Sequence, residues 1–436
     1  MKEIITPESN SKPKNAIRIY PAQVATQSTG NLRVRCTTAG FAPIPNAKIV
    51  VTSSDNPNTP IDQLTTNDSG LTEAVPLPAP PFDYSQDPSA QQPYSLFNLS
   101  ITAPGYNNVD VTNVQILPST TAEQDSTLAP VPPQAQPQAQ AYVIPPHTLY
   151  GDYPPKIPEP EIKPAAETGA IVLPRVVIPE FIIVHDGPPS DTSAANHYVR
   201  FRDYIKNVAS SEIYATWPEA TLYANVLAIL SFTLNRVYTE WYQNQGYNFT
   251  ITSSTAYDHK WMNGRNIYNN IGLLVDSVFN NYLSRPNVKQ PILTQYCDGY
   301  KVQCPNWMTQ WGSKTLGDQG QSAIQILRHF YGNSIYINTA PEVAGVPHSW
   351  PGSNLSVGSR GDNVRTIQQQ LNAIAKVYSS IPSLSVDGVY GQRTAAAVRA
   401  FQQIFDLPAN GIVDLPTWYK LSLIYVGVTR IGEYLP

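Results

Sequence analysis

The feature that most constrains the fold is a stretch of helical periodicity over residues 198–242, the longest in the chain. Apolar residues recur there three or four positions apart, as in a helix that buries one face. This apolar stripe comprises Leu222, Val226, Ile229, Leu230, Thr233 and Val237. The helix is predicted to begin at a capping box, with Thr216 as N-cap and Glu219 at N3. Glu212 therefore lies at the joint before a long buried helix.

The length and charge of the chain limit its architecture and its partners. A chain of 436 residues suggests two to four domains. Only 14% of the residues are charged and the formal net charge is -4, so the basic surface that nucleic acids require is missing. Residues 1–15 lack the apolar run of a secretory signal, and no stretch is long enough to span a bilayer. We expect no nucleic acid and no membrane as partners.

The N-terminal part alternates short β-rich runs with turn signals, which predicts a small β-sandwich over residues 1–117. The predicted strands are 16–20, 31–37, 47–53, 96–103 and 108–116. The segments TTNDSGL (65–71) and ITAPGY (101–106) resemble the carboxypeptidase-regulatory or transthyretin-like sandwich family. The resemblance implies a pro-domain, a chaperone or a docking module, since such domains rarely carry chemistry.

Residues 118–177 are rich in proline and include the tract PQAQPQAQA. Proline fixes φ and removes a hydrogen-bond donor, so this segment is predicted to be an extended, exposed linker. Two interpretations stay open: a structural spacer, or a site of proteolytic processing, because exposed linkers are where proteases cut. The apolar run 171–177 near its end can pack on the next domain.

Residues 178–345 are predicted to form a mixed α+β domain of a size that can bury a core. Its predicted strands are 181–184, 247–254 and 291–296, and its predicted helices, besides the long one, are 266–282 and 323–331.

The C-terminal part, residues 350–436, contains an internal repeat. Three glycine turns, VGSRGDNV (357–364), VDGVYG (386–391) and NGIVD (410–414), each precede an amphipathic helix. The repeat resembles the small three-helix peptidoglycan-binding domain, with Ile367 for its usual leucine and Tyr390 for its usual phenylalanine. The resemblance implies a module whose ligand is cell-wall glycan or its peptides.

Both ends of the middle domain resemble the SpoIID/LytB family of peptidoglycan lytic transglycosylases. The family's E-M-p-x-x-W-P-x-E-A-L pattern is matched by SEI (211–213) and WPEATL (217–222), and its closing M-S-Q-W-G-A by MTQWGS (308–313). Two departures indicate a divergent subfamily: AILSF (228–232) lacks the arginine of A-A-R-T-Y, and QCP (303–305) stands where the family has glycine-histidine-glycine. The resemblance implies Glu212 as the catalytic acid.

A lytic transglycosylase needs one carboxylic acid that stays protonated near neutral pH, which a partly apolar setting achieves by desolvation. Glu212, flanked by Val208, Ala209, Ile213 and Trp217, has such a setting. The capping box is predicted to occupy Glu219, and Glu240 lies at the solvent end of the helix. No cofactor is expected.

The other candidate site residues follow the family's S-T-x-x-Q element and its closing run. We expect Thr255, Tyr257, Asp258, Gln310 and Trp311 to line the glycan groove, with packing roles as the alternative for Thr255 and Trp311. Cys297 and Cys304 can be reduced packed thiols, a disulfide or, with His259, zinc ligands. Three ligands at irregular spacing are a weak metal site, so no metal is predicted.

The order of sandwich, linker, SpoIID-like domain and peptidoglycan-binding domain resembles the spore cortex-lytic enzymes of clostridia, the SleC type. The resemblance implies a zymogen in the bacterial spore that a subtilisin-like germination protease activates within the linker. It leaves open whether the N-terminal domain blocks the groove or assists folding. An N-acetylmuramoyl-L-alanine amidase and a non-catalytic peptidoglycan-binding or amidase-enhancing protein are the alternative functions.

Overall fold

The computed structural model describes residues 28–163 and 175–431. Its N-terminal part is a sandwich of two sheets whose strands alternate buried and exposed residues. The strands are β1 (Ser28–Thr37), β2 (Lys48–Ser53), β3 (Asn56–Thr65), β4 (Val75–Ala79), β5 (Ser95–Thr102), β6 (Asn108–Ile116), β7 (Thr121–Thr127) and β8 (Ala139–Val143). One sheet has the order β3-β2-β5-β6-β8, and β7, β1 and β4 lie side by side in the other. The strand predicted at 16–20 lies outside the described residues.

The sandwich extends beyond residue 117 into the predicted linker. Strand β7 pairs in parallel with β1, and β8 pairs in parallel with β6. Residues 144–163, here called the strap, then run along the central domain with Ile144, His147 and Leu149 buried. The prediction of an extended, exposed linker is therefore wrong for β7 and for residues 144–149, where strand pairing and packing bury the chain. Residues 132–141 are exposed. The rest of the segment up to residue 174 lies outside the described residues.

The central domain combines five helices with short strands. The helices are α1 (Phe201–Glu212), α2 (Glu219–Tyr238), α3 (Asn269–Val278), α4 (Gln310–Asp318) and α5 (Ala323–Tyr331). The strands are β9 (Val177–Ile178), β10 (Phe181–His185), β11 (Asn196–Arg200), β12 (Ile251–Thr252), β13 (Ile267–Tyr268), β14 (Asn281–Ser284), β15 (Tyr296–Cys297), β16 (Met308–Thr309), β17 (Tyr336–Thr339) and β18 (Glu342–Val343). The predicted strand 247–254 is observed only as the two-residue strand β12. The predicted strand 291–296 overlaps the two-residue strand β15 only at Tyr296.

The joint between α1 and α2 is stabilised from outside the helix. The N-cap of α2 is Pro218, and no side chain caps it. The Thr216 hydroxyl instead donates to Ser85 Oγ of the sandwich at 2.7 Å, and Glu219 is exposed. The predicted capping box is therefore wrong, because a tertiary contact uses the hydroxyl that the box requires. Glu212 is nevertheless the last residue of α1, directly before the joint.

The sandwich and the central domain share a continuous sheet. Strand β13 pairs antiparallel with β7, which gives the order β13-β7-β1-β4. Beside this junction Arg265 is buried, and it donates to Gln115 Oε1 of the sandwich at 3.3 Å and to Ser211 Oγ of α1 at 3.2 Å. Arg265 thus links the sandwich to Ser211, the residue before Glu212.

The C-terminal part is helical, with α6 (Asp362–Ala375), α7 (Gln392–Ile404) and α8 (Leu415–Thr429). Its repeat is visible in two equivalent glutamines. The side-chain oxygen of Gln368 accepts from Gly388 N, and that of Gln402 accepts from Gly411 N, both at 2.9 Å. Each side-chain nitrogen donates to a threonine in the first turn of the next helix. The second and third predicted glycine turns are thereby fixed to the helix that precedes them.

The sandwich also contacts the C-terminal helices. Arg33 and Arg35 of β1 both form ion pairs with Asp406, and the Tyr378 hydroxyl donates to Phe41 O at 2.6 Å. All three parts therefore pack on one another. Within residues 28–163 and 175–431, no helix has the length and apolarity to cross a membrane.

Candidate active site

Glu212 lies in a cavity of about 210 Å³ between the central domain and the strap. Its side chain is almost fully buried, since only 3% of the residue is exposed. The strap contributes Thr148 and residues 151–156 to the cavity wall. The central domain contributes Glu212, Thr255, Tyr296, Cys297, Asp298, Lys301, Val302 and Gln310. A segment that was predicted to be a linker thus forms one side of the site.

Three hydrogen bonds fix Glu212 within the cavity. Its Oε1 accepts from the backbone N–H of Lys260 at 2.6 Å, and its Oε2 accepts from the hydroxyl of Tyr296. Its backbone oxygen accepts from Nε2 of Gln310, the first residue of α4, at 2.8 Å. The carboxyl group is therefore held in one orientation by donors from the loop at Lys260 and from strand β15.

The electrostatic setting of Glu212 favours its protonated form. Burial raises the pKa of its carboxyl group, and the cation of Lys156 together with the two donors opposes the rise. Burial also lowers the pKa of Lys156. A buried carboxylic acid with a raised pKa is what general acid catalysis near neutral pH requires.

The raised pKa makes the stability of the fold depend on pH. The folded protein holds the Glu212 proton more tightly than the unfolded chain, whose carboxyl has an ordinary pKa near 4.5. The free energy of unfolding of the wild type should therefore fall relative to that of Glu212→Gln as pH rises from 4.5 through the raised pKa. Melting temperatures of both proteins between pH 4 and 8 measure this. A difference that stays constant over that range would contradict the raised pKa.

Tyr296 is positioned by a short strand pair and a disulfide. It pairs with Met308 in the parallel ladder β15–β16, and its ring stacks on His259 at 5.7 Å between centroids. The next residue, Cys297, forms a disulfide with Cys304, with Cα atoms 5.9 Å apart. The interpretation of Cys297 and Cys304 as reduced thiols is therefore wrong.

His259 is part of the core around Tyr296. Its Nδ1 lies 3.2 Å from the hydroxyl of Tyr204, and burial holds the pKa of its imidazole well below the usual range. With the sulfurs of Cys297 and Cys304 bonded to each other, they do not offer thiolates for the alternative zinc site. Among the residues that the structure describes, no group of three or more histidine, cysteine or acidic side chains is arranged to hold a metal ion.

The structure places the other candidate residues in different environments. Thr255 and Gln310 line the cavity with Glu212. Tyr257 and Trp311 are not among its lining residues, and Trp311 packs on Trp217 with ring centroids 4.9 Å apart. For Trp311 the geometry matches the packing alternative.

Asp258 points into the core and not into the groove. Its Oδ1 accepts from Arg236 Nε at 2.7 Å, and its Oδ2 accepts from the hydroxyls of Tyr242 and Thr252 at 2.6 and 2.7 Å. The side chain is fully buried. The prediction that Asp258 lines the groove is therefore wrong, because a buried guanidinium on α2 requires a carboxylate partner.

Three residues around Glu212 were missed from the sequence, namely Tyr296, Lys260 and Lys156. Arg236, which binds Asp258 and the strap, was missed as well. Only Arg236 had a usable signal. It lies seven residues after Ile229, so a charged side chain occupies the apolar stripe of α2 and must find a buried partner. The other three reach Glu212 from distant parts of the chain.

Comparisons with known proteins define the C-terminal part. Residues 360–421 match the family model described as a putative peptidoglycan binding domain. The match covers only these residues and leaves the rest of the chain without a family. The zinc D-Ala-D-Ala carboxypeptidase of Streptomyces albus G is 36% identical over 74 residues, which are 17% of this chain. The chain spans 28% of the length of that relative.

Solved structures show only partial likenesses. The SleB N-terminal domain is 30% identical, and the match covers 17% of this chain and 93% of that one with a TM-score of 0.15. The minor pilin GBS52 of Streptococcus agalactiae is 19% identical, and the match covers 26% of this chain and 49% of that one with a TM-score of 0.19. At these TM-scores neither likeness defines a shared overall fold.

Proposed function

We propose that this chain is a peptidoglycan lytic transglycosylase with Glu212 as its catalytic acid. The observation that carries the proposal is the setting of Glu212: a carboxyl group with a raised pKa, oriented by Lys260 and Tyr296, in a cavity next to the strap. The C-terminal domain supplies the substrate class, since it is a putative peptidoglycan binding domain. The SpoIID-like motifs around Glu212 support the reaction type.

The reaction needs one carboxyl group in two protonation states. Protonated Glu212 donates its proton to the oxygen of the MurNAc–GlcNAc glycosidic bond as that bond breaks. The resulting carboxylate accepts hydrogen bonds from Lys260 N and the Tyr296 hydroxyl, which stabilise its charge. It then takes the proton of the muramoyl C6 hydroxyl, whose oxygen attacks the anomeric carbon. The product is a 1,6-anhydromuramoyl end, no water is consumed, and Glu212 is protonated again.

We further propose that the enzyme is stored as a zymogen in the spore and acts on cortex peptidoglycan after proteolysis between residues 118 and 179. The strap supports this, because its residues 151–156 line the same cavity as Glu212. The Lys156 ammonium is also close enough to interact electrostatically with the Glu212 carboxylate. A subtilisin-like germination protease is the proposed activator. The spore setting rests on the resemblance of the domain order to spore cortex-lytic enzymes.

Product analysis tests both parts of the proposal. Cortex peptidoglycan is incubated with intact protein or with protein cleaved between residues 118 and 179, and the soluble products are identified by mass spectrometry. We expect 1,6-anhydromuropeptides from the cleaved protein and almost none from the intact chain. Free lactyl groups and new peptide N-termini would instead identify an amidase. Binding without any new product would identify a non-catalytic peptidoglycan-binding or amidase-enhancing protein, and equal activity of both samples would refute storage as a zymogen.

A further inference from the structure

We propose that the strap occupies the groove that binds the peptidoglycan strand. We further propose that Gln295 and Arg285, which bind the strap in this structure, bind the substrate once the strap has left. The inference deepens the proposed function and rests on it for the identity of the ligand. It is carried by the groups that the strap presents to the central domain: backbone amides, carboxylates and a cation beside Glu212. A glycan strand with peptide stems presents amides and carboxylates too.

The amide contacts come from glutamine side chains. Oε1 of Gln295 accepts from Glu159 N at 2.9 Å, and its Nε2 donates to Ile157 O at 2.7 Å. Gln290 accepts in the same way from Lys163 N at 2.8 Å. A carboxamide that both donates and accepts suits any secondary amide. The N-acetyl groups of the sugars and the peptide bonds of the stems are such amides.

The carboxylate contacts come from arginines. Glu161 binds Arg285 through two hydrogen bonds of 2.7 Å each, and Glu159 binds Arg236 through two bonds of 2.6 and 2.9 Å. Two-point pairing of this kind is the strongest contact between a guanidinium and a carboxylate. Arg236 also binds Asp258 in the core, whereas the Arg285 side chain is 22% exposed. Without the strap, Arg285 is the guanidinium that offers its paired donors to a carboxylate of a peptide stem.

The strap spans the cavity of Glu212 from one side to the other. Thr148 N donates to the carbonyl of Ser211, the neighbour of Glu212, at 3.1 Å. Further along, the ammonium of Lys156 lies over the ring of Tyr296, 5.3 Å from its centroid, and donates to the carbonyl of Asp258. A glycan strand that reaches Glu212 would have to take this same space. The strap and the strand therefore exclude each other.

Hydrogen exchange of the full chain tests this exclusion. The Glu212→Gln protein is mixed with soluble peptidoglycan fragments, and exchange of the strap amides at Ile157, Glu159 and Lys163 is followed by mass spectrometry. We expect faster exchange of these amides as the fragment concentration rises. Protection confined to residues 360–421, with unchanged exchange in the strap, would overturn the proposal. The readout needs no turnover, so it is independent of whether the reaction products support the transglycosylase assignment.

Two variants of one ion pair test whether Arg285 binds the substrate or only the strap. Glu161→Gln and Arg285→Gln both break the pair, so both should speed strap exchange about fivefold without fragments, the size of a partly exposed ion pair. Only Glu161→Gln should also lower, about fivefold, the fragment concentration that releases the strap. For Arg285→Gln this fragment concentration should stay near that of the wild type, because the substitution removes a substrate contact as well as a strap contact. Equal fragment concentrations for the two variants would show that Arg285 only latches the strap. Asp318→Asn is the control, because it breaks a partly exposed pair with Lys314 that lies outside the strap.

Discussion

The Glu212→Gln protein, cleaved between residues 118 and 179, is expected to release 1,6-anhydromuropeptides about 10²- to 10⁴-fold more slowly than the cleaved wild type, the usual contribution of a general acid. A carboxamide cannot donate a proton to the glycosidic oxygen, and it cannot take the proton of the C6 hydroxyl. Its oxygen can still accept from Lys260 N, which donates to Glu212 Oε1 at 2.6 Å in the wild type. The fold and the binding of peptidoglycan should therefore persist. Quantitative mass spectrometry of the soluble products measures the loss.

Glu219→Gln is the matched control for this experiment. Glu219 lies in the same sequence motif, seven residues further on, but is exposed in the first turn of α2. Its replacement should change the rate by less than about twofold, since surface substitutions have small effects. Co-sedimentation with insoluble peptidoglycan should be equal for both variants and the wild type. Release of anhydromuropeptides by Glu212→Gln at the wild-type rate would exclude Glu212 as the acid.

The parts of the fold that could be predicted are those whose signals are local. The glycine turns and helix patterns of the C-terminal repeat predict α6, α7 and α8. The turns before α7 and α8 are each closed by a glutamine of the preceding helix, which is a contact close in sequence. The apolar residues of 222–237 likewise predict α2, because they recur three or four positions apart as in a helix. The structure buries nearly every side of this helix and not one face alone.

The parts that could not be predicted depend on pairing between distant residues. Strands β3 and β4 contain prolines, which argue against a strand. Both lie at the edges of their sheets, where a missing N–H donor is tolerated. Strand β7 is polar and strand β8 is mostly exposed, so neither has the apolar pattern of a buried strand. Their positions are set by parallel pairing with the distant strands β1 and β6.

In the candidate site, too, the local feature could be predicted and the distant contacts could not. The sequence around Glu212 predicts an apolar setting, and the residue is indeed buried. Its hydrogen-bond donors, Lys260 and Tyr296, lie 48 and 84 residues further along the chain. Lys156 precedes it in a segment that composition alone assigns to a linker. None of these contacts has a local signature, because they arise only when the strap and the loops pack around α1.

Asp258→Asn is expected to destabilise the full chain by about 3 kcal/mol, the lower range for breaking a buried ion pair by removing one partner. Asp258 and Arg236 are both fully buried, and Arg236 keeps only Glu159 of the strap as a carboxylate partner after the change. Urea denaturation of the intact chain measures the loss.

Asp152→Asn removes a carboxylate whose side chain is fully exposed, so it is the control and should stay within about 0.5 kcal/mol of the wild type. A role for Asp258 in the groove makes the opposite prediction. The stability of Asp258→Asn would then be unchanged, and the binding of peptidoglycan fragments would weaken. Loss of stability with unchanged fragment binding, measured well below the melting temperature, assigns Asp258 to the core and leaves Glu212 as the acid of the groove.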